Sequence, residues 1–251
     1  MSVHPLLFGK LLKAWCGYSS GTLVASHYSH EFKPCTSDWG ALAAVPPMTI
    51  QVYRDAGSAH QYYDCLCNEL TLEIAHGSFL KTTMGVIGGK FSTAVKGSPT
   101  YLPGSEFVWD QSSIAFASGA IDELSSFSIT LNNNLEGKGT VDGTKTFNRI
   151  KRAGFRTIEV AGTLLFVDQV EHDIFRARTG QRMIVDVVGQ LVSSGYSAEL
   201  KIDMPQVKYK EFPINVGGPG TIEVGFTGDA EYHAGSATMV EFTLVNTLAA
   251  Y

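Results

Sequence analysis

The sequence predicts a mainly β protein, an antiparallel β-sandwich or barrel, on three observations. From Thr49 onward, short segments alternate apolar and polar side chains, which is the two-residue period of a strand with one buried face. Clusters of Gly and Asn, which tolerate positive φ angles, separate these segments as turns. The length of 251 residues suits one all-β domain.

The N-terminal segment lacks this alternation of apolar and polar residues. Leucines between residues 6 and 12 predict only a short amphipathic helical turn, and Gly, Ser, His and Pro without a clear period follow. We therefore expect residues 1–47 to form an irregular N-terminal arm. Residues 48–251 are expected to form a single β-sandwich domain.

The alternating segments each predict one buried strand face. Their apolar positions are Leu70, Leu72 and Ile74; Phe127, Ile129 and Leu131; Tyr196, Ala198, Leu200, Ile202 and Met204; Ile222, Val224 and Phe226; and Phe242 and Leu244. The segment Ile158–Val167 becomes apolar at consecutive positions towards its end, which predicts a central strand covered on both sides.

One segment departs from the β pattern. Residues 168–178 place Val170, Ile174 and Phe175 near helical spacing, with acidic residues at the start and arginines at the end, as the helix dipole favours. This predicts one short α-helix. Turn sequences are expected at residues 132–134, 137–143, 217–220 and 228–229.

The charge distribution opposes stable binding of nucleic acid. The chain has 19 Lys and Arg against 24 Asp and Glu, a net charge of −5, whereas DNA or RNA binding needs a basic face. One local basic run is interspersed with acidic residues, so we interpret it as a solvated loop or a subunit contact. Its basic residues are Lys138, Lys145, Arg149, Lys151, Arg152 and Arg156, with Glu136, Asp142 and Glu159 among or beside them.

The sequence predicts neither membrane insertion nor standard secretion. Lys10 and Lys13 interrupt the apolar stretch nearest the N-terminus, which is too short to span a bilayer. Synthesis in the cytoplasm is therefore expected. Four cysteines are too few for a disulfide scaffold, and Cys65 and Cys67, two apart on a strand, are expected to be reduced core residues.

Two motifs contain the residue types of a catalytic or metal site but lack the structural setting or spacing that such a site needs. Residues 17–21 have the letters of a nucleophile elbow around Ser19, but that motif needs a strand before it and a helix after it. Cys16, His27, His30 and Cys35 lack the paired spacing of a structural zinc site. No catalytic, cofactor-binding or metal-binding residue is predicted, and the protein is not expected to be an enzyme.

The segment Ser126–Asn134 resembles the strand ending in an Asn turn of the tail tube proteins of long-tailed bacteriophages. Further segments similar to that family follow in order, from about residue 48 to the end. They are Tyr63–Leu72 with Val86–Gly89, the basic loop Arg149–Arg156, the Gly-containing strand Thr157–Leu164, the helix at 168–178, the turn Val216–Glu223 and the closing strand Val240–Thr247. The first 47 residues resemble nothing in the family that we recognise.

This resemblance implies a non-catalytic structural subunit of a phage tail. It would form hexameric rings that stack into a tube for genome passage, in the virion, after synthesis in the host cytoplasm. Its partners would be its own copies and other tail proteins such as the tape measure, terminator and baseplate or tip proteins, with DNA present only transiently. A lumen of polar or acidic strand faces would let DNA slide, and Glu69, Thr71 and Glu73 share such a face.

The main alternative is a β-sandwich binding module that recognises carbohydrate or a host surface, as an adhesin does. Trp15, Trp39 and Trp109 are its candidate stacking platform, although tryptophans serve equally as core or interface anchors. A β-rich hydrolase is the third hypothesis.

Overall fold

The computed structural model describes residues 1–34, 45–98, 101–117, 119–141, 143, 146–147, 149–193, 195–214 and 220–251. Within these ranges the protein is mainly β and antiparallel, which confirms the predicted fold class. The Cys35 and Trp39 positions and most of the Gly-rich turn at 217–220 lie outside the described residues.

The helices are α1 (Pro5–Cys16) and α2 (Val170–Ala177), and Trp109–Gln111 form a single 3-10 turn. The strands are β1 (Gly17–Val24), β2 (His27–Pro34), β3 (Met48–Val52), β4 (Ala59–Ala75), β5 (Lys81–Ile87), β6 (Lys90–Ala94), β7 (Ser112–Phe116), β8 (Gly119–Ala120), β9 (Leu124–Asn132), β10 (Leu135–Lys138), β11 (Arg149–Arg152), β12 (Thr157–Leu165), β13 (Gln181–Ser193), β14 (Tyr196–Glu211), β15 (Glu223–Ala230) and β16 (Glu241–Asn246).

In the described part of the chain, fourteen strands form one continuous sheet, and the long strand β14 divides it into two parts that we call the first and second sheets. Its N-terminal part lies between β13 and β16 in a first sheet of order β8-β7-β13-β14-β16-β2-β1. Its C-terminal residues pair with β15 and open a second sheet of order β14-β15-β12-β9-β4-β5. The buried faces of both sheets contribute to one hydrophobic core, which gives the β-sandwich.

The apolar positions predicted from the alternation lie in this core. Leu70, Ile129, Leu200, Phe226 and Phe242 are almost fully buried, as expected for side chains on the inner faces of two packed sheets. Tyr196, at the start of β14, is an exception with 39% of its surface exposed. The predicted short helix is confirmed as α2, with Glu171 and Asp173 in its first turn and Arg176 in its last.

The N-terminal segment corrects the prediction of an irregular arm at residues 1–47. Residues 5–34 form α1 and the hairpin β1–β2, and β2 extends the first sheet by pairing with β16. Helix α1 packs Phe8, Leu12 and Trp15 into the main core and contacts strands of both sheets. This segment is therefore part of the β-sandwich domain as far as the chain is described.

Strand β12 is central, as predicted, because it lies between β15 and β9. The prediction that both of its faces are covered is wrong for the single subunit. Ile158, Val160 and Leu164 are buried, whereas Thr157 and Glu159 on the other face are exposed. The apolar run in the sequence is Leu164–Val167, but β12 ends at Leu165 and Val167 is 70% exposed.

Two substructures extend beyond the same end of the second sheet. The N-terminal part of β4 pairs with β3 and β6 beyond Asp64, and β10 and β11 form a separate hairpin after β9. We call this the projecting end. At the opposite end of β9 and β12, helix α2 and the segment before β9 border a cleft, and we call this the cleft end.

Candidate assembly surfaces

The outer face of the second sheet carries small polar side chains in register, and we call it the polar face. One row across the sheet joins Thr83, Thr71, Thr130, Glu159, Asp229 and Lys208, and the next joins Lys81, Glu73, Ser128, Ala161, Thr227 and Glu211. Each side chain points away from the core because its strand neighbours are buried. The predicted polar face with Glu69, Thr71 and Glu73 is part of this larger surface.

The charges on the polar face are unevenly distributed. On the central strands β4, β9 and β12, the outward positions between the buried residues include Glu69, Glu73 and Glu159 and no basic residue. Lysines occur only on the flanking strands. There Lys210 lies 2.8 Å from Asp229 and 3.7 Å from Glu159, and Lys208 lies 2.7 Å from Glu231. The centre of this face is therefore acidic and hydroxyl-rich.

The outer face of the first sheet has a different character. Lys33 forms ion pairs with Glu31 at 2.6 Å and Glu241 at 3.2 Å, and Arg182 donates to Asp203 at 2.8 Å. Apolar Val188 and Leu191 are 48% and 70% exposed. Partial burial, followed by the nearby Asp186 carboxylate, raises the pKa of Glu199 on this face. This surface includes exposed apolar side chains, whereas the two rows of the polar face contain no large apolar side chain.

Among the strand edges that have no strand neighbour in the described part of the chain are those of β5 and β1. Strand β5 pairs only with β4, and residues 1–3 cover its start, where Val3 donates to the Leu80 carbonyl at 2.9 Å. Strand β1 pairs only with β2 and exposes Tyr18, Leu23 and Val24. Unpaired edges present backbone donors and acceptors that another chain can complete.

The predicted Asn turn anchors the β10–β11 hairpin to the body. Asn133 is fully buried, and its side-chain amide donates to the Trp15 carbonyl at 3.1 Å and the Cys67 carbonyl at 3.0 Å. Asn134 adopts a left-handed φ of 51°, and its backbone N–H donates to Asn132 Oδ1 at 2.7 Å. This turn therefore connects α1, β4 and the hairpin.

The basic run is divided between the hairpin and this anchor. Arg149 and Lys151 are exposed on β11, and Lys138 pairs with Glu136 on β10 at 2.6 Å. Arg152 and Arg156 instead donate to Asn133, to its carbonyl at 2.6 Å and to its side-chain oxygen at 2.7 Å. Lys145 and Asp142 lie outside the described residues. The run is thus partly structural and partly a hairpin surface.

The described residues that were considered for chemistry, Ser19, Cys16, His27 and His30, do not form a site. Ser19 lies on β1, directly after a helix and opposite Phe32 of an antiparallel hairpin, which is not the geometry of a nucleophile elbow. His27 stacks on Tyr196, and a ring nitrogen of His30 lies 2.8 Å from the Leu248 carbonyl oxygen. No group of three metal-ligating side chains is found in the described ranges.

The cysteines and tryptophans are mainly core residues. Cys16, Cys65 and Cys67 are buried free thiols, and burial raises the pKa of Cys16 and raises that of Cys67 to about 12, so both stay neutral. Trp15 is fully buried and Trp109 packs against His76, with ring centroids 4.1 Å apart. Trp15 therefore offers no stacking surface, whereas Trp109 is partly exposed and lines a cleft of about 380 Å³ together with His76.

Comparison with known proteins identifies the family. Among the described residues, no helix is both long and apolar enough to cross a membrane. A search of curated proteins found no match to the chain. The sequence model of the family described as "Phage tail tube protein" matches residues 2–230. This range includes the N-terminal segment that the sequence resemblance had left out. The chain therefore belongs to the phage tail tube protein family and is a structural component of a bacteriophage tail.

Proposed function

We propose that the chain forms hexameric rings, that the rings stack into a hollow tube, and that the polar face lines the channel through which the genome passes. The subunit acts without catalysis, is made in the host cytoplasm and binds other tail proteins at the ends of the tube. The polar face is the observation that carries this proposal, because a sheet surface of this kind has no apolar patch to bury against a partner.

The chemistry of the polar face suits a channel for DNA. Hydroxyl groups on Ser128, Thr130 and Thr71 keep the surface hydrated, and Glu73 and Glu159 repel phosphates. Stable DNA binding requires Lys and Arg contacts that release counterions, and the central strands offer none. A DNA molecule would pass along such a wall without being retained.

The strand edges suit ring closure. If the polar face points to the axis, the strand edges face neighbouring subunits, and a heterologous contact between different edges closes a ring. The free part of β5, residues 83–87, and the exposed apolar residues of β1 are the surfaces that such a contact would bury.

Negative-stain electron microscopy of the purified chain tests the assembly, together with the mass measured by light scattering. We expect rings or tubes with six-fold end views. Val86→Lys on the free edge of β5 should weaken ring closure, whereas Val188→Lys, a similarly exposed position away from the free edges, should not. A persistent monomer at high concentration that binds glycans would overturn the proposal.

DNA retention tests the assignment of the channel wall. Wild-type tubes should not retain double-stranded DNA at physiological salt, whereas tubes of the variant Glu73→Lys with Glu159→Lys should retain it. The matched variant Glu31→Lys with Glu241→Lys, on the outer face of the first sheet, should behave like the wild type. Equal retention by both variants would show that the polar face does not line the channel.

A further inference from the structure

Resting on the proposed tube, we propose that rings stack by a head-to-tail contact in which the β10–β11 hairpin of one copy docks on the α2 cleft of a copy in the next ring. Phe155 and the basic residues Arg149 and Lys151 are the donor surface. The acceptor is an apolar cleft with acidic residues at its rim, at the other end of the same strands.

The two surfaces lie at opposite ends of β9 and β12. Strand β9 begins directly after Glu123, which lines the cleft, and its last residue precedes the Asn turn that carries the hairpin. Strand β12 runs in the opposite direction, from the hairpin side to Leu164 and Leu165 at the cleft. Strands of nine residues separate the two surfaces by about 30 Å.

This placement fits stacking because of the geometry of the proposed channel. If the polar face lines the channel and the strand edges meet within a ring, the strand ends face the neighbouring rings. Two different surfaces at opposite ends then make a heterologous contact, which repeats without closing and generates a filament of rings.

The donor surface combines charge with an exposed ring. The exposed side chains Lys138, Arg149 and Lys151 give the hairpin an excess of positive charge over Glu136. Phe155 follows β11 directly and is 83% exposed. Asn134 donates a side-chain hydrogen bond to the Phe155 carbonyl, which holds this segment against the Asn turn. The hairpin end therefore presents an exposed aromatic ring, on a backbone fixed by this bond, together with basic side chains.

The acceptor cleft is complementary in shape and charge. Its volume is about 260 Å³, and its apolar lining includes Leu164, Phe166 and Phe212. A protein cavity of about 150 Å³ can hold benzene, so the ring of Phe155 fits here. Glu123 and Asp168 also line the cleft, and none of its described lining residues is basic. The basic hairpin therefore meets acidic groups around an apolar seat.

Disulfide trapping tests the contact between copies. Chains with Phe155→Cys, mixed with chains with Val167→Cys at the cleft, should form cross-linked pairs when tubes assemble and are oxidised. Leu191→Cys is the matched control partner, since Leu191 and Val167 are both 70% exposed but Leu191 lies on the first sheet. Each variant alone measures the background from native cysteines. Equal linkage to Val167→Cys and Leu191→Cys would overturn the proposal.

Charge exchange tests the electrostatic part. Arg149→Glu with Lys151→Glu should leave rings intact and reduce the fraction in stacked tubes by about tenfold or more, because like charges then face each other. Adding Glu123→Lys and Asp168→Lys to the same chain should restore stacking at the wild-type net charge. If the variant with all four substitutions unfolds at the wild-type temperature but its rings do not stack, the proposed contact is overturned.

These outcomes separate the two proposals. If the wild-type chain forms rings or tubes but the cysteine variants do not form the expected cross-links, only the hairpin–cleft contact is refuted. A wild-type chain that forms neither rings nor tubes would refute the proposed function and this contact together.

Discussion

The body of the sandwich and its projecting end differ in the size of their hydrophobic cores. The body buries one large core that takes side chains from both sheets and from α1. Among the described residues, the projecting end has a cluster of four buried apolar residues, Val45, Leu66, Leu135 and Ile150. In this part of the molecule, Phe91 on β6 and Phe155 after β11 are more than half exposed. Most of the buried apolar surface that stabilises the subunit therefore lies in the body, and the projecting end contributes little to it.

The largest effect should come from the strand that both sheets share. Leu200→Ala removes a fully buried side chain from β14 and should lower the free energy of unfolding by about 3–4 kcal/mol. Leu191→Ala, at a position 70% exposed on the neighbouring strand, should change it by less than about 0.5 kcal/mol. Urea unfolding followed by circular dichroism measures both. Equal effects would mean that the sandwich interior is not the main source of stability.

The residue that joins the two regions should rank second. Asn133→Ala removes the buried amide that donates to the Trp15 and Cys67 carbonyls and accepts from Arg156, and should cost about 2–3 kcal/mol. Asn134→Gly should cost less, because Gly adopts the left-handed backbone of this position without strain. Thermal unfolding compares the two variants. A larger loss of stability in Asn134→Gly than in Asn133→Ala would show that Asn133 is not the main anchor.

A substitution within the projecting end should act locally. Ile150→Ala removes a side chain from the small cluster and should weaken the β10–β11 hairpin by roughly 2 kcal/mol. Hydrogen exchange should then accelerate at residues 149–152 while the global unfolding midpoint stays close to the wild-type value. A global loss as large as that of Leu200→Ala would show that the projecting end and the body unfold as one unit.

The smallest effect on stability is expected for a substitution of Tyr251. Its hydroxyl donates to the Pro5 carbonyl at 3.2 Å, and its ring packs against His30 and directly on Gly9, where a Cβ would overlap it. Tyr251→Phe should cost about 1 kcal/mol at neutral pH, as measured by urea unfolding.

The same substitution predicts a pH dependence. Burial raises the pKa of Tyr251 to about 12 from its ordinary value of 10.0, so folding favours the neutral phenol. This contribution is complete below pH 10 and is lost as the pH rises through about 12. The wild type should therefore lose stability relative to Tyr251→Phe across that range. A stability difference that stays constant between pH 8 and 12 would contradict this assignment.

The predictable part of the fold is the part encoded by local patterns. Burial of one strand face is visible as alternation, so Leu70, Ile129 and Leu200 could be placed in the core from the sequence. The helical spacing and end charges around Ile174 were likewise sufficient to predict α2.

The N-terminal hairpin could not be predicted because its buried positions are stabilised from far along the chain. His30 is buried because its ring lies against the Leu248 carbonyl and Tyr251. Only Phe32, two residues later, gave a local sign of an inward face. The polar face was anticipated at Glu69, Thr71 and Glu73 alone, because its remaining members are brought together by cross-strand register.

The position of β16 between β14 and β2 has a consequence for protein synthesis. The hairpin β1–β2 leaves the ribosome early, but its place in the first sheet exists only after residues 241–246 have been made. The hydrogen bond from Lys13 of helix α1 to the Tyr251 carbonyl likewise forms only after Tyr251 has been made. Contacts of such long sequence separation form late and slowly. A nascent chain would therefore hold an incomplete sandwich until residues 241–246 have emerged.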